Sequence, residues 1–173
     1  MSALEAILWA QDYPEEVEAI VGLDMALPAT YDGFDLDGAL KYEKLAVIGR
    51  ELGLIRFYYS DSMLSPALSK EDKKLYRAIA CEKAVNQVVQ NEGLAIPGAC
   101  EKINSKPIPD IPTLLFVSNG KEVGVENWAE LQKEYASKLT DASVVELSCG
   151  HYVHNFEYKK ISEDMIGFVE GLE

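Results

Sequence analysis

Apolar positions recur with two different periods along the chain, and these periods predict which segments are strands and which are helices. Short apolar runs predict buried strands of a parallel sheet at residues 17–23, 113–117 and 143–147. Apolar residues at helical spacing predict helices over residues 2–12, 37–58, 70–91, 125–139 and 158–172. Because the strands alternate with helices, the sequence favours an α/β fold whose parallel strands are joined by right-handed crossovers.

Helix-breaking residues divide the chain further. Gly49 and Gly53 weaken the second predicted helix, and the prolines between residues 93 and 112 predict a linker. Residues 31–107 are therefore expected to be a helical insertion, with residues 1–30 and 108–173 forming the core around the sheet. A sheet of three parallel strands is thin, and the sequence begins on a helix, so we expect further strands on its N-terminal side.

Composition narrows the choice of partner and compartment. The chain has 16 basic and 29 acidic residues, with a formal charge of -13, which argues against nucleic acid and anionic membranes as partners. Cys81, Cys100 and Cys149 form no Cys-x-x-Cys pair, which favours a reducing compartment. The apolar run at residues 6–10 is too short for a signal peptide or a membrane span, so we expect a cytoplasmic protein.

The candidate chemistry lies at the carboxyl ends of two predicted strands. The chain has two histidines, His151 and His154, and both follow the third strand. Open α/β enzymes place reactive groups at this edge, where His151 could act as a general base and Asp24, after the first strand, could be its partner. Alternatively, His151 caps the last helix and Asp24 caps a turn. A metal half-site of the two histidines lacks a carboxylate cluster, so no metal or cofactor is expected.

Several segments, in order, resemble parts of one enzyme family. Residues 2–17 resemble the helix that follows the nucleophile elbow of the α/β-hydrolase superfamily. Residues 21–24 resemble its sixth strand, residues 112–120 its seventh, and residues 150–154 its catalytic-histidine loop. The resemblance implies the C-terminal half of a hydrolase fold, with residues 31–107 as the lid. It also implies serine hydrolysis of a small-molecule carboxylic ester or similar acyl substrate, without a cofactor.

The resemblance assigns His151 as the catalytic histidine. After the seventh strand, where most of the family carries Asp, this chain has Asn119, which cannot carry the charge that stabilises an imidazolium. Asp24, after the sixth strand, is at the other position that the family uses and is the preferred acid. The family nucleophile in Gly-x-Ser-x-Gly is absent from the sequence. It would immediately precede Met1, which would hold the oxyanion-hole position, and Ser2 would replace the last glycine of the motif.

No residue of this sequence is a good substitute for that serine. Ser2 is one helical step away, and Ser148 and Cys149 are on the loop of the histidine itself. An apolar acyl pocket in the lid has candidate residues at Phe57, Tyr58, Tyr59 and Met63, which could equally be ordinary core. Two hypotheses follow: an enzyme half that needs an N-terminal half, or a non-catalytic module that binds a partner, or itself, through the exposed edge of the first strand.

Overall fold

The computed structural model describes residues 2–32, 35–60 and 64–172, which fall into two compact units. The first unit comprises Met1–Asp32 and Pro97–Glu173, and the second comprises Gly33–Ile96. Met1 and Met63, which the sequence assigned to the oxyanion-hole position and to a lid pocket, lie outside the described residues.

The first unit contains a parallel sheet, which confirms the predicted α/β class. Its strands are β1 (Ile20–Leu23), β2 (Thr113–Val117) and β3 (Ala142–Glu146), hydrogen-bonded in the order β1-β2-β3. Both pairs are parallel, and Thr113 of β2 is aligned with Ile20 on one side and with Ala142 on the other. The carboxyl ends of all three strands therefore meet at one edge of the sheet.

The strand bounds follow the apolar pattern closely. β2 has the predicted bounds, and β3 begins one residue before its predicted start. β1 is shorter than predicted because a 3-10 turn at Pro14–Glu16 precedes it, and the N–H of Val17 caps that turn by donating to the carbonyl of Pro14. Residues 17–19 of the predicted strand therefore lie outside β1, after the turn that the proline induces.

The described residues of the first unit form four complete α-helices and the end of a fifth. They are α1 (Ser2–Asp12), α5 (Trp128–Ala136), α6 (Val153–Phe156) and α7 (Tyr158–Glu170). One face of β2 contributes to a core cluster that includes α6 and α7, with the members Leu114, Phe116, Leu147, Val153 and Ile161. This cluster anchors the segment after β3, so the predicted histidine loop is short and turns directly into α6.

The remaining helices are α2 (Leu36–Glu51), α3 (Lys70–Lys83) and α4 (Gln87–Asn104). The predicted break near Gly53 is confirmed, because this glycine has a φ of 69° after α2. The predicted single helix over 70–91 is divided at Val85, whose φ is 49°. The predicted linker from residue 93 is wrong as far as Asn104, because α4 continues through Pro97. The buried Ile96 and Ile103 offset the hydrogen bond that the proline removes.

No helix among the described residues is long and apolar enough to cross a membrane.

Candidate functional site

Asp24 stands directly after β1, at the carboxyl edge of the sheet. Its N–H continues the strand ladder by donating to the carbonyl of Phe116 at 2.7 Å. Its φ of 55° lies in the left-handed region, which aspartate tolerates better than most residues. The residue is 1% exposed, so its carboxylate is held inside the protein rather than in solvent.

The Asp24 carboxylate and the His151 imidazole are in direct contact. Oδ2 of Asp24 lies 2.7 Å from Nδ1 of His151, whose side chain is 39% exposed. An ionised carboxylate can only accept hydrogen bonds, so Nδ1 carries a proton, and in the neutral imidazole Nε2 then keeps its lone pair. The two residues that the sequence placed at the same sheet edge therefore form a pair with the tautomer that a general base needs.

The second oxygen of Asp24 is held by three donors. Oδ1 accepts hydrogen bonds from the backbone N–H of Ser118 at 2.8 Å, from Nε1 of Trp128 at 2.8 Å and from Nε2 of Gln132 at 3.2 Å. Burial alone raises the pKa of Asp24, but the hydrogen bonds from His151, Ser118 and Trp128 together outweigh it and lower the pKa below its ordinary value. Asp24 is thus a buried carboxylate that stays ionised at neutral pH.

The imidazole ring is flanked by aromatic side chains. Trp128 meets His151 edge to face, with ring centroids 5.8 Å apart, and Tyr152 lies at 5.4 Å. The carbonyl of His151 accepts a hydrogen bond from the N–H of Val153 at 2.8 Å, which forms the turn into α6. Val153 is fully buried, so the short helix anchors the histidine backbone to the core.

An open cleft of about 390 Å³ adjoins the pair. It lies beside the outer edge of β1 and beside the start of α1. Its lining includes Asp24, His151, Ser2, Ala3 and Ala6. The small side chains on α1 leave room beside the imidazole, so a reacting group could approach His151 from this side.

The other candidates from the sequence have different surroundings. Asn119 is a turn residue, because its Oδ1 accepts from the N–H of Lys121 at 3.1 Å. His154 is exposed on α6 and stacks edge to face against Tyr152 at 6.1 Å. Ser148 is exposed. These three side chains have no contact with Asp24 that would give them a place in the pair.

Cys149 is a poor nucleophile in this position. Burial raises the pKa of its thiol, and the carboxylates of Glu157, Asp24 and Glu122 raise it further. The reactive thiolate is therefore disfavoured at neutral pH. Ser2 differs from the other substitutes because it lines the same cleft as His151.

The aromatic residues proposed for an acyl pocket belong to the second unit. Phe57 is 74% exposed, and Tyr58 and Tyr59 meet edge to face with centroids 5.4 Å apart. Both tyrosines line an apolar groove of about 660 Å³ between α2, α3 and the start of α4, within this unit. A groove of this volume is within the range of small-molecule sites.

The described part of the chain contains no cluster of metal-binding side chains. Residues 2–32, 35–60 and 64–172 contain no group of three or more histidine, cysteine, aspartate or glutamate side chains that could hold a metal ion. Sequence reasoning found Asp24 and His151 but missed the hydrogen bonds that Trp128 and Gln132 donate to Asp24 and that Glu122 accepts from His151. No local motif marks these three residues, because their role depends on contacts between distant segments.

Comparison with known proteins adds one relative. No family model matches the chain. The chain is similar to an uncharacterized protein, YbdG, of Bacillus subtilis (strain 168), with 26% identity over 175 residues. The match covers 93% of this chain and 53% of the relative, so the chain spans about half the length of the protein that it matches.

Proposed function

We propose that this chain supplies the histidine and the acid of a hydrolytic triad in an α/β-hydrolase that acts on a carboxylic ester or a similar acyl compound. The observation that carries the proposal is the 2.7 Å contact between Asp24 Oδ2 and His151 Nδ1. The carboxylate is buried, while the imidazole faces an open cleft. The order of the acid before the histidine along the chain agrees with the order in this family.

The proposed nucleophile is a serine on a segment that precedes α1. The sequence contains no Gly-x-Ser-x-Gly, and the resemblance assigns α1 to the helix that follows this motif. The cleft beside His151 supports the proposal, because the first residues of α1 line it. Met1 would then provide an oxyanion-hole N–H, and the helical insertion over residues 31–107, which includes the unit Gly33–Ile96, would be the lid.

The proposed reaction is acyl transfer through two proton movements. The serine Oγ attacks the ester carbonyl carbon while His151 Nε2 takes the hydroxyl proton, and the proton then passes to the leaving alcohol oxygen. Water then attacks the acyl carbonyl carbon while His151 Nε2 takes a proton from it. The proton passes to the serine Oγ as the carboxylic acid is released. Asp24 remains ionised throughout, holds Nδ1–H and stabilises the imidazolium that forms.

Reconstitution tests this proposal directly. A separately produced hydrolase fragment that carries the preceding strands and Gly-x-Ser-x-Gly is mixed with this chain, and hydrolysis of p-nitrophenyl acetate and butyrate is measured. We expect turnover in the mixture that is lost in His151→Ala. The matched control is His154→Ala, which removes the other histidine and should retain turnover. An inactive mixture, or turnover that survives His151→Ala, would refute the proposal.

A second candidate function is binding of a partner strand through the outer edge of β1. Ile20 N–H donates to the carbonyl of Pro112 and Asp24 N–H to that of Phe116, so alternate residues of β1 face β2. The N–H groups of Val21 and Leu23 therefore point to the outer edge. Among the described residues, no strand pairs with this edge, and Leu23 is 40% exposed.

The two outer edges of the sheet differ in a way that favours β1 as the pairing surface. β1 is an apolar run, whereas β3 carries Glu146, which forms an ion pair with Lys133 at 2.7 Å. Charges on an edge strand discourage pairing, and apolar edges promote it. Alongside β1 is a second cleft of about 430 Å³, whose lining includes Trp9, Val17 and Ala19.

Sedimentation measurements test the edge hypothesis without any catalytic assay. We expect concentration-dependent self-association of the wild-type chain that Leu23→Lys abolishes. Ser143→Lys, which adds the same charge to an exposed position of β3, is the control and should leave association unchanged. A monomer at all concentrations, or equal effects of the two lysines, would count against this function.

A further inference from the structure

The loop between β2 and α5 contacts both members of the Asp24–His151 pair. At its two ends, Ser118 and Trp128 donate hydrogen bonds to Asp24, as described above. Its middle contacts the histidine loop instead. A single segment of chain thus sets the position of the acid and reaches the backbone of the base.

Two hydrogen bonds join the middle of this loop to the histidine loop. The N–H of Asn119 donates to the carbonyl of Cys149 at 3.1 Å. The N–H of His151 donates to Oε2 of Glu122 at 3.3 Å. These bonds hold the main chain on both sides of Gly150, the residue directly before the one that carries the imidazole.

Glu122 and Gly150 fit together as a pair. A Cβ added to Gly150 would lie 2.1 Å from Oε2, 2.4 Å from Cδ and 2.6 Å from Oε1 of Glu122. All three distances are far below van der Waals contact, so the carboxylate occupies the space that any larger residue at position 150 would need. The absence of a side chain at this position therefore lets Glu122 reach the N–H of His151.

We propose that Glu122 is a positioning residue for His151. Its carboxylate fixes the backbone from which the imidazole reaches Asp24, and this deepens the function proposed above because it rests on His151 acting as the base. Glu122 is exposed, and its carboxylate accepts this hydrogen bond at 3.3 Å while it fills the space beside Gly150. Glu122 does not touch the reacting atoms, so its effect passes through the orientation of the ring.

Nuclear magnetic resonance of the imidazole and of the backbone tests the proposal in this chain alone. The chain has two histidines, so selective ¹⁵N labelling gives few signals, and His154→Ala assigns them. In the wild type we expect a protonated Nδ1 on His151 and a protected His151 amide. In Glu122→Ala we expect amide exchange to be about tenfold faster. We also expect the Nδ1–H signal to be lost to exchange with solvent.

Three further variants separate positioning from general damage. Glu122→Gln keeps an oxygen acceptor and should restore both signals, whereas Gly150→Ala should displace the carboxylate and reproduce Glu122→Ala. Glu126→Ala removes an exposed glutamate from the same loop and is the matched control, with no expected change. Unchanged signals in Glu122→Ala, or the same changes in Glu126→Ala, would overturn the proposal.

The outcome is independent of the hydrolase assay. If the resonances change as expected but the reconstituted mixture hydrolyses no ester, the proposed function fails and the positioning role of Glu122 stands. If the mixture is active but Glu122→Ala leaves the His151 signals and turnover unchanged, only the positioning proposal fails.

Discussion

The indole of Trp128 and the imidazole of His151 meet edge to face, with their planes at 80° and their centroids 5.8 Å apart. The same indole donates a hydrogen bond from Nε1 to Asp24 at 2.8 Å. Trp128 is 4% exposed, so its own side chain is shielded from solvent. One aromatic side chain thus orients the imidazole of His151 and helps to keep the Asp24 carboxylate ionised.

Replacing Trp128 with phenylalanine should lower stability, because it removes a donor to a buried carboxylate. The ring contact with His151 is largely kept, so the hydrogen bond dominates the change. Hydrogen bonds to charged groups contribute about 1.5–3 kcal/mol, and we expect a loss of this order in the free energy of unfolding. Denaturation by urea, followed by circular dichroism, measures it.

Trp9→Phe is the matched control for that substitution. Trp9 also donates from Nε1 to a carboxylate, Glu16, at 3.1 Å, but its side chain is 55% exposed. Solvent can replace this bond, so the change in unfolding free energy should be within about 0.5 kcal/mol. Equal losses in the two variants would contradict the role assigned to Trp128.

The sheet and the Asp24–His151 pair could be predicted because their signals are local. β2 is a nearly all-apolar run between Pro112 and a polar turn, which leaves little choice of bounds. Asp24 and His151 each follow a strand, and parallel strands bring their carboxyl ends to one edge. The order of elements was therefore enough to place the two residues together, although their catalytic roles are still predictions.

The residues that hydrogen-bond to the Asp24–His151 pair could not be predicted, because these contacts join segments that are far apart in the sequence. Gln132 and Asp24 are 108 residues apart in sequence, and nothing in an amphipathic helix marks one glutamine as a donor to a buried acid. The linker that Pro97 predicted was wrong for the opposite reason. A strong local signal predicted a linker, yet the burial of Ile96 and Ile103 kept the segment helical.

Asp24→Asn should change the dependence of stability on pH in the acid range. The folded-state pKa of Asp24 is lowered, so the unfolded state binds more protons, and the wild type loses this stabilisation as pH falls through the folded value. The difference in unfolding free energy between wild type and Asp24→Asn should therefore be full above about pH 4 and should shrink below it. A difference that is constant with pH would show that the Asp24 charge contributes no net stability.

The same substitution should also move the lone pair of the neutral His151 ring from Nε2 to Nδ1. An asparagine amide at position 24 can donate to Nδ1, which favours the tautomer with the proton on Nε2. In the reconstituted mixture the proposed function predicts a loss of turnover of roughly 10⁴-fold, the effect seen when a hydrolytic triad loses its acid. Asn119→Asp, which adds a carboxylate to the turn after β2, is then combined with Asp24→Asn. Recovery of turnover in the double variant would show that both family positions can serve.

Asp12 at the end of α1 should contribute a salt-sensitive part of the stability. Its carboxylate pairs with Lys102 at 2.8 Å and also with Lys106, and these two hydrogen bonds lower its pKa. We expect Asp12→Asn to lower the melting temperature at low ionic strength and to have a smaller effect in 1 M salt, because salt screens exposed pairs. Glu82→Gln, which removes an exposed pair with the neighbouring Lys83, is the control and should have little effect at either ionic strength.

Tyr135 should make stability fall at alkaline pH. Burial raises the pKa of its hydroxyl to about 12, and its Oη has no hydrogen-bond partner among the described residues. Because the unfolded state releases this proton near pH 10, the stabilisation is complete below that value and is lost as pH rises through the folded value. The wild type should lose on the order of 2 kcal/mol between these limits that Tyr135→Phe does not lose. Tyr13→Phe, at a half-exposed site, is the control and should behave as the wild type does. Parallel alkaline profiles for wild type and Tyr135→Phe would show that the hydroxyl is solvated in the folded protein.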